Sequence, residues 1–178
     1  MFRDDFVATP TLVLTCSLLA AACAAQVARY ESLVELLDYS QAAPYPAELV
    51  VSGVSNAQQL AVELHGLSHE VPADLDLLLV APTGAAVLLM SSAGNYFQVE
   101  NLNLAFADFG VELPSFLALE SSVYRPGSYS GAVSLPPPAP SQPYAAQLNE
   151  LLAEPNGVWR LYAADAFWGG AGHLASWA

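Results

Sequence analysis

Apolar side chains recur at every second position in three separate stretches of this chain. Leu60, Val62 and Leu64 alternate with Ala61, Glu63 and His65. Leu102, Leu104 and Phe106 alternate with Asn101, Asn103 and Ala105, and Trp159, Leu161 and Ala163 with Arg160 and Tyr162. A strand turns successive side chains to opposite faces, so this period predicts strands buried on one face. Glu48 to Val54, closed by Gly53, predicts another strand. Leu75 to Ala81 is a nearly unbroken apolar run, interrupted by Asp76 and ended by Pro82-Thr83-Gly84. It is too short for a helix and suits a central strand buried on both faces. Val87 to Met90 follows across that turn, which predicts a hairpin.

Between Gly110 and Asn156 lie Pro114, Pro126, Pro136, Pro137, Pro138, Pro140, Pro143 and Pro155, out of 13 prolines in all. Proline cannot donate to a sheet ladder, so this stretch reads as ordered loop and edge. Within it, only Tyr144 to Ala153 has the apolar spacing for a short helix. Short strands separated by turn signals predict an all-β fold, an antiparallel β-sandwich.

The chain has 178 residues, enough for one domain plus a leader. A core of that size needs no covalent staple. There is no lysine, and the arginines Arg3, Arg29, Arg125 and Arg160 are scattered, while the net charge is -13. Binding nucleic acid or anionic lipid requires clustered cations, so both are excluded as expectations. Cys16 and Cys23 both precede Gln26, leaving the rest free of disulfides and thiolate metal sites.

Residues 1–25 read as a leader. Phe6 to Ala25 is mostly apolar and ends in small residues, with Ala22-Cys23-Ala24 as an A-x-A-like cleavage site. Ala20-Ala21-Ala22-Cys23 offers a weak lipobox instead. Arg3 is opposed by Asp4 and Asp5, and Pro10 falls early in the run, so a misassigned start and an anchoring helix stand as alternatives. The expected location is extracellular, or tethered by the N-terminus at the cell envelope. Residues 26–43 read as a linker or N-terminal extension, with Leu33, Val34, Leu36 and Leu37 compatible with a short helix or a first strand. The sandwich is expected to span 44–178.

Nucleophilic catalysis of the Ser-His-Asp type needs an activated serine, a base and an orienting carboxylate. The histidines are His65, His69 and His173, and Gly127-Ser128-Tyr129-Ser130-Gly131 places tyrosine where an elbow needs serine. His65 and His69 therefore read as strand-end and loop residues, and no catalytic residue is expected. Asp74 and Asp76 bracket one residue at the start of the Leu75 run, so both would face one way on a strand, with Asp165 as a third oxygen donor for calcium. The competing reading has Asp74 capping the turn after Pro72 and Asp76 bonding loop amides. Phe167-Trp168-Gly169-Gly170 has the makings of an exposed loop, and Trp168 of a platform for sugar rings, against ordinary packing of the aromatics.

Several of these stretches, in order, carry a family resemblance. They are Val50 to Val54, Val62 to His69, Asp74 to Gly84, Leu88 to Ser91, Leu102 to Asp108, Tyr124 to Tyr129, Pro138 to Pro140 and Pro155 to Tyr162. Together they resemble the P domain, or P/Homo B domain, of subtilisin-like proprotein convertases in its bacterial secreted form. The resemblance implies a jelly-roll-like sandwich similar to galactose-binding folds, in which a final apolar strand follows the equivalent of Ser176-Trp177; with the sequence stopping at Ala178, a sheet lacking that strand and a truncated reading frame stand as alternatives. It also implies a role beside a subtilisin-type protease or another exported protein, which the module stabilises without turnover. The alternative is a calcium-dependent or glycan-binding adhesion module.

Overall fold

The computed structural model describes residues 26–178. The leader reading, with its lipobox and cleavage site, falls outside them. Along the chain run β1 (Val34–Leu36), β2 (Ala47–Val51), β3 (Ala61–His69), β4 (Leu75–Val80), β5 (Ala86–Ser91) and β6 (Val99–Val111). They are followed by β7 (Val123–Tyr124), β8 (Gly127–Ser128), β9 (Gly157–Asp165), β10 (Gly172–Leu174) and β11 (Ser176–Trp177). One sheet is ordered β1-β10-β3-β6-β7, with β11 beside β3, and the other β2-β9-β4-β5-β8. The chain is an all-β sandwich.

The three alternating triplets meet between the sheets. Val62, Leu64, Leu104, Phe106, Trp159, Leu161 and Ala163 are buried in one core, and Leu60 and Leu102 pack half-buried against it. The phase is kept in β3 by a bulge. Gly66 sits at φ +68, and the pairing of β3 with β6 jumps from Leu64↔Leu104 to Leu67↔Leu102. A left-handed residue at no steric cost is what glycine supplies there. After the bulge, Leu67 and His69 both face inward.

β4 is covered on both sides. Leu75, Leu77 and Leu79 join the main core, whereas Leu78 and Val80 join a second cluster with Ala86, Tyr162, Val133 and Leu135. Val133 and Leu135 come from the proline-rich stretch, which thus serves as a lid over the outer face of the sheet. The predicted hairpin is present, pairing Leu79 with Val87 and Val80 with Ala86.

Two expectations change. The sheets are mixed, because β8 runs parallel to β5 and β7 parallel to β6 along short edges. Residues 26–43 contribute β1, which pairs with β10, so this segment belongs to the sandwich. Its strand form follows from burial: Val34 and Leu36 are buried while Leu33 and Leu37 are exposed, a period of two. At the far end, Ser176 and Trp177 pair with His65 and Leu64 of β3.

The short helix predicted near Tyr144 is a 3-10 turn, Leu148–Ala153, that buries Leu148 and Leu151. Asp108 of β6 accepts the Leu148 N–H at 2.7 Å and the Asn149 N–H at 3.0 Å. These are amides with no partner inside the turn. Asp108→Ala is therefore expected to cost about 1–2 kcal/mol in urea unfolding, and Asp108→Asn less, because Asn keeps one acceptor.

Candidate functional site

One end of the sandwich is built from five loops that touch in sequence. Asp165 N–H donates to Ser40 O, Ala166 N–H to Asp74 O, and Ala73 N–H to Asn95 O. Asn95 in turn donates through Nδ2 to Phe116 O at 3.3 Å. These bonds bring together residues near 38–40, 70–74, 92–97, 114–119 and 165–171.

The surface of this end is aromatic. Trp168 is 76% exposed and stacks on Tyr39, with ring centroids 4.6 Å apart and planes at 29°. Phe167, Tyr96, Phe97 and Phe116 are exposed on the same loops. The glycines after Trp168 hold its loop in place: Gly169 and Gly170 N–H groups donate to Asp38 Oδ1 at 2.9 and 3.4 Å. The Ala171 N–H donates to Glu70 Oε2 at 3.2 Å. Trp168 was expected in an exposed loop, and the structure places it there. Its partner Tyr39 was missed, because nothing in a one-dimensional reading brings residue 39 beside residue 168. By contrast Trp159, expected in the core, is buried and donates through Nε1 to Pro155 O at 2.8 Å.

Beneath the rings lies a closed polar pair. His69 Nε2 is 3.2 Å from Asp165 Oδ2, and both side chains are wholly shielded from solvent. The Val71 N–H donates to His69 Nδ1 at 3.1 Å, so the neutral ring carries its proton on Nε2, facing the carboxylate. Neither of the facing atoms makes an aligned hydrogen bond. Burial pulls the His69 pKa below its ordinary 6.5, against the opposing pull of the Asp74, Glu70 and Asp38 charges. Burial likewise pushes the Asp165 carboxyl up, opposed by the Phe167 N–H it accepts at 3.0 Å. His69 is the last residue of β3, as expected for a strand end, but the Gly66 bulge turns it inward rather than into a loop. His65 lies within β3 and faces Glu63 at 3.1 Å. Ser68, next to His69 in the chain, accepts the Asn101 N–H on the other side of β3. Ser128 is tied into a local turn with Ser130. The His69–Asp165 pair links β3 of one sheet to β9 of the other, shielded from solvent.

Asp74, Asp76 and Asp165, the three oxygen donors expected for calcium, do not share one strand face. Among the described residues no group of three or more His, Cys, Asp or Glu side chains is placed to hold a metal ion. The reason is local. Asp74 ends a 3-10 turn, Pro72–Asp74, so the alternation begins only at Leu75. Asp76 then shares the outer face with Leu78 and Val80, while Asp165 pairs with inward-facing Leu75. Asp76 is pushed up by burial, with the neighbouring Ser91 hydroxyl opposing the shift.

Asp74 is 8% exposed, and its carboxyl is pushed above its ordinary 3.8 by burial first and by the Asp165 charge second. The folded state therefore binds a proton that the unfolded state has released. The stability this gives is fully present below 3.8, is lost as the pH rises from there through the raised folded pKa, and stays lost above it. Asp74→Asn removes the opposing charge. We expect a thermal midpoint about 2 °C higher at pH 7, on a scale of about 2–4 °C per kcal/mol for a domain this size. The gain should vanish as the pH falls towards 3.8.

At the other end of the sandwich a cleft of about 980 Å³ opens beside Leu49, Val62, Phe109, Trp159 and Trp177, and Glu63 is the one titratable side chain along it. Among the described residues no helix is long and apolar enough to cross a membrane. No family model matches the chain, and no curated protein matches it.

Proposed function

We propose that this chain is a non-catalytic, exported β-sandwich module that accompanies and stabilises a secreted protein, as the P domain does for subtilisin-like proteases. It acts by contact, with no turnover. The observation that carries the reading is the division of labour at the loop end: aromatic rings are presented outward, while the one His–Asp pair beneath them is sealed. A surface of that kind is suited to burial against a partner. The resemblance supports the identity of the partner class, and its two most specific stretches, Asp74 to Gly84 and Pro155 to Tyr162, supply β4 with its turn and most of β9. The jelly-roll assignment rests on the same resemblance, and export on residues 6–25.

The test uses a subtilisin-type catalytic domain from the same genome, expressed alone, with this chain added, and fused to it. The reading predicts a raised thermal midpoint and slower inactivation of the protease when the chain is present. No change in either, with no peptidase or esterase activity gained, would leave the accessory role without support. A glycan-binding role is a second reading, favoured by the exposed Trp168 ring on Tyr39. Binding on an oligosaccharide array that disappears in Trp168→Ala would select it instead.

A further inference from the structure

The loop end is acidic as well as aromatic. Asp38 and Glu70 are exposed there, with Asp74 and Asp165 buried beneath. None of these carboxylates is paired with an arginine among the described residues. Arg29 faces Glu31, Arg160 faces Glu48, and Arg125 lies along a separate cleft with Glu112 and Gln147. The nearest base, His69, is buried and neutral near pH 7. The rings of Tyr39 and Trp168 thus sit in an uncompensated negative field. Tyr39 covers one face of Trp168, and the 76% exposure of the indole leaves the other open. An open indole face beside carboxylates attracts a cation twice, through the ring quadrupole and through charge.

We infer that the loop end docks a basic segment of the partner protein, laying an arginine or lysine on the free face of Trp168 beside Asp38 and Glu70. A neutral apolar partner would leave those charges unanswered in the interface, and an acidic one would be repelled. The inference rests on the accessory reading and names the chemistry of its contact.

The probe is a fluorescein-labelled octa-arginine peptide, followed by anisotropy on the full chain, with octa-glutamate and neutral oligosaccharides as comparisons. Intrinsic fluorescence gives a second readout. Trp159 and Trp177 are buried, so acrylamide quenching reports Trp168. The peptide should bind saturably, shield Trp168 from acrylamide and weaken as salt rises. Trp168→Ala should weaken it about tenfold and Trp168→Phe much less. Asp38→Asn with Glu70→Gln keeps the acceptors for the glycine loop but should weaken binding and flatten its salt dependence. Glu154→Gln, at the opposite end, should change nothing. Equal binding by Trp168→Ala, or equal weakening by Glu154→Gln, would reduce the effect to bulk acidity and overturn the inference. Shielding by oligosaccharide but not by peptide would overturn it in favour of a glycan. Stabilisation of the protease without peptide binding would sink this inference alone, whereas peptide binding without stabilisation would sink the accessory reading.

Discussion

Replacing Gly172 with alanine is expected to cost about 3 kcal/mol or more, a fall of roughly 10 °C in thermal midpoint. β10 lies between β1 and β3, and Gly172 pairs with Leu36 on one side and His69 on the other. A Cβ built on Gly172 overlaps the Ser68 carbonyl oxygen and lies 2.8 Å from His69 Cα. Both are backbone atoms of a central strand and cannot step aside as a side-chain tip could. β10 must shift, and β1 loses its pairing with β10. The loss reaches the candidate site, because Asp38 and Tyr39 follow directly from β1. Trp168 should therefore become more mobile in fluorescence anisotropy in the same variant. Gly131→Ala is the matched control: nothing lies within 4 Å of its Cβ, so the midpoint should hardly move.

Trp177→Ala should be nearly as damaging, at about 3–5 kcal/mol in urea unfolding. Trp177 is 2% exposed and packs among Leu64 and the main core. Its backbone is bound in both directions to Tyr30, with Tyr30 N–H donating at 2.8 Å and Trp177 N–H at 3.1 Å. Truncation would open a cavity in a stretch held rigidly on both sides, where collapse is difficult. The indole Nε1 has no hydrogen-bond partner among the described residues, so Trp177→Phe gives up volume but no bond and should cost much less. Equal losses for Ala and Phe would mean that the indole N–H, rather than packing, holds this corner.

The parts of the fold visible in the sequence are those fixed by local period. Val62 with Leu64, Leu104 with Phe106, and Trp159 with Leu161 and Ala163 share a core because a strand has no other way to hide them. The hairpin after Leu79 was equally plain, since Pro82-Thr83-Gly84 can do little but turn. Features set by distant partners were hidden. Val133 and Leu135 looked like loop among prolines, yet they cover Tyr162, which the alternation had turned outward. A strand apolar on both faces, such as β4, is the signal that a second cover must exist. Asp74 and Asp76 do not alternate along one strand because a three-residue turn ends at Asp74, a backbone event that spacing alone does not reveal. The same holds for His69, which a bulge three residues earlier turned from surface to interior. At the site, Gly169-Gly170 advertised an exposed Trp168, whereas Tyr39 and Asp38 arrive there only through the pairing of β1 with β10.

This pattern explains how an acidic chain can tolerate so much exposed ring at one end. Aromatic area seeks burial, and the like charges around it discourage association with a second copy while leaving a basic surface welcome. The most direct measurement is acrylamide quenching of tryptophan fluorescence in a complex of this chain with the subtilisin-type catalytic domain, the latter with its own tryptophans replaced. Trp168 should become inaccessible to quencher as the complex forms, and regain access at high salt. A complex that forms while Trp168 stays fully quenchable would place the contact elsewhere and contradict a loop end built for docking.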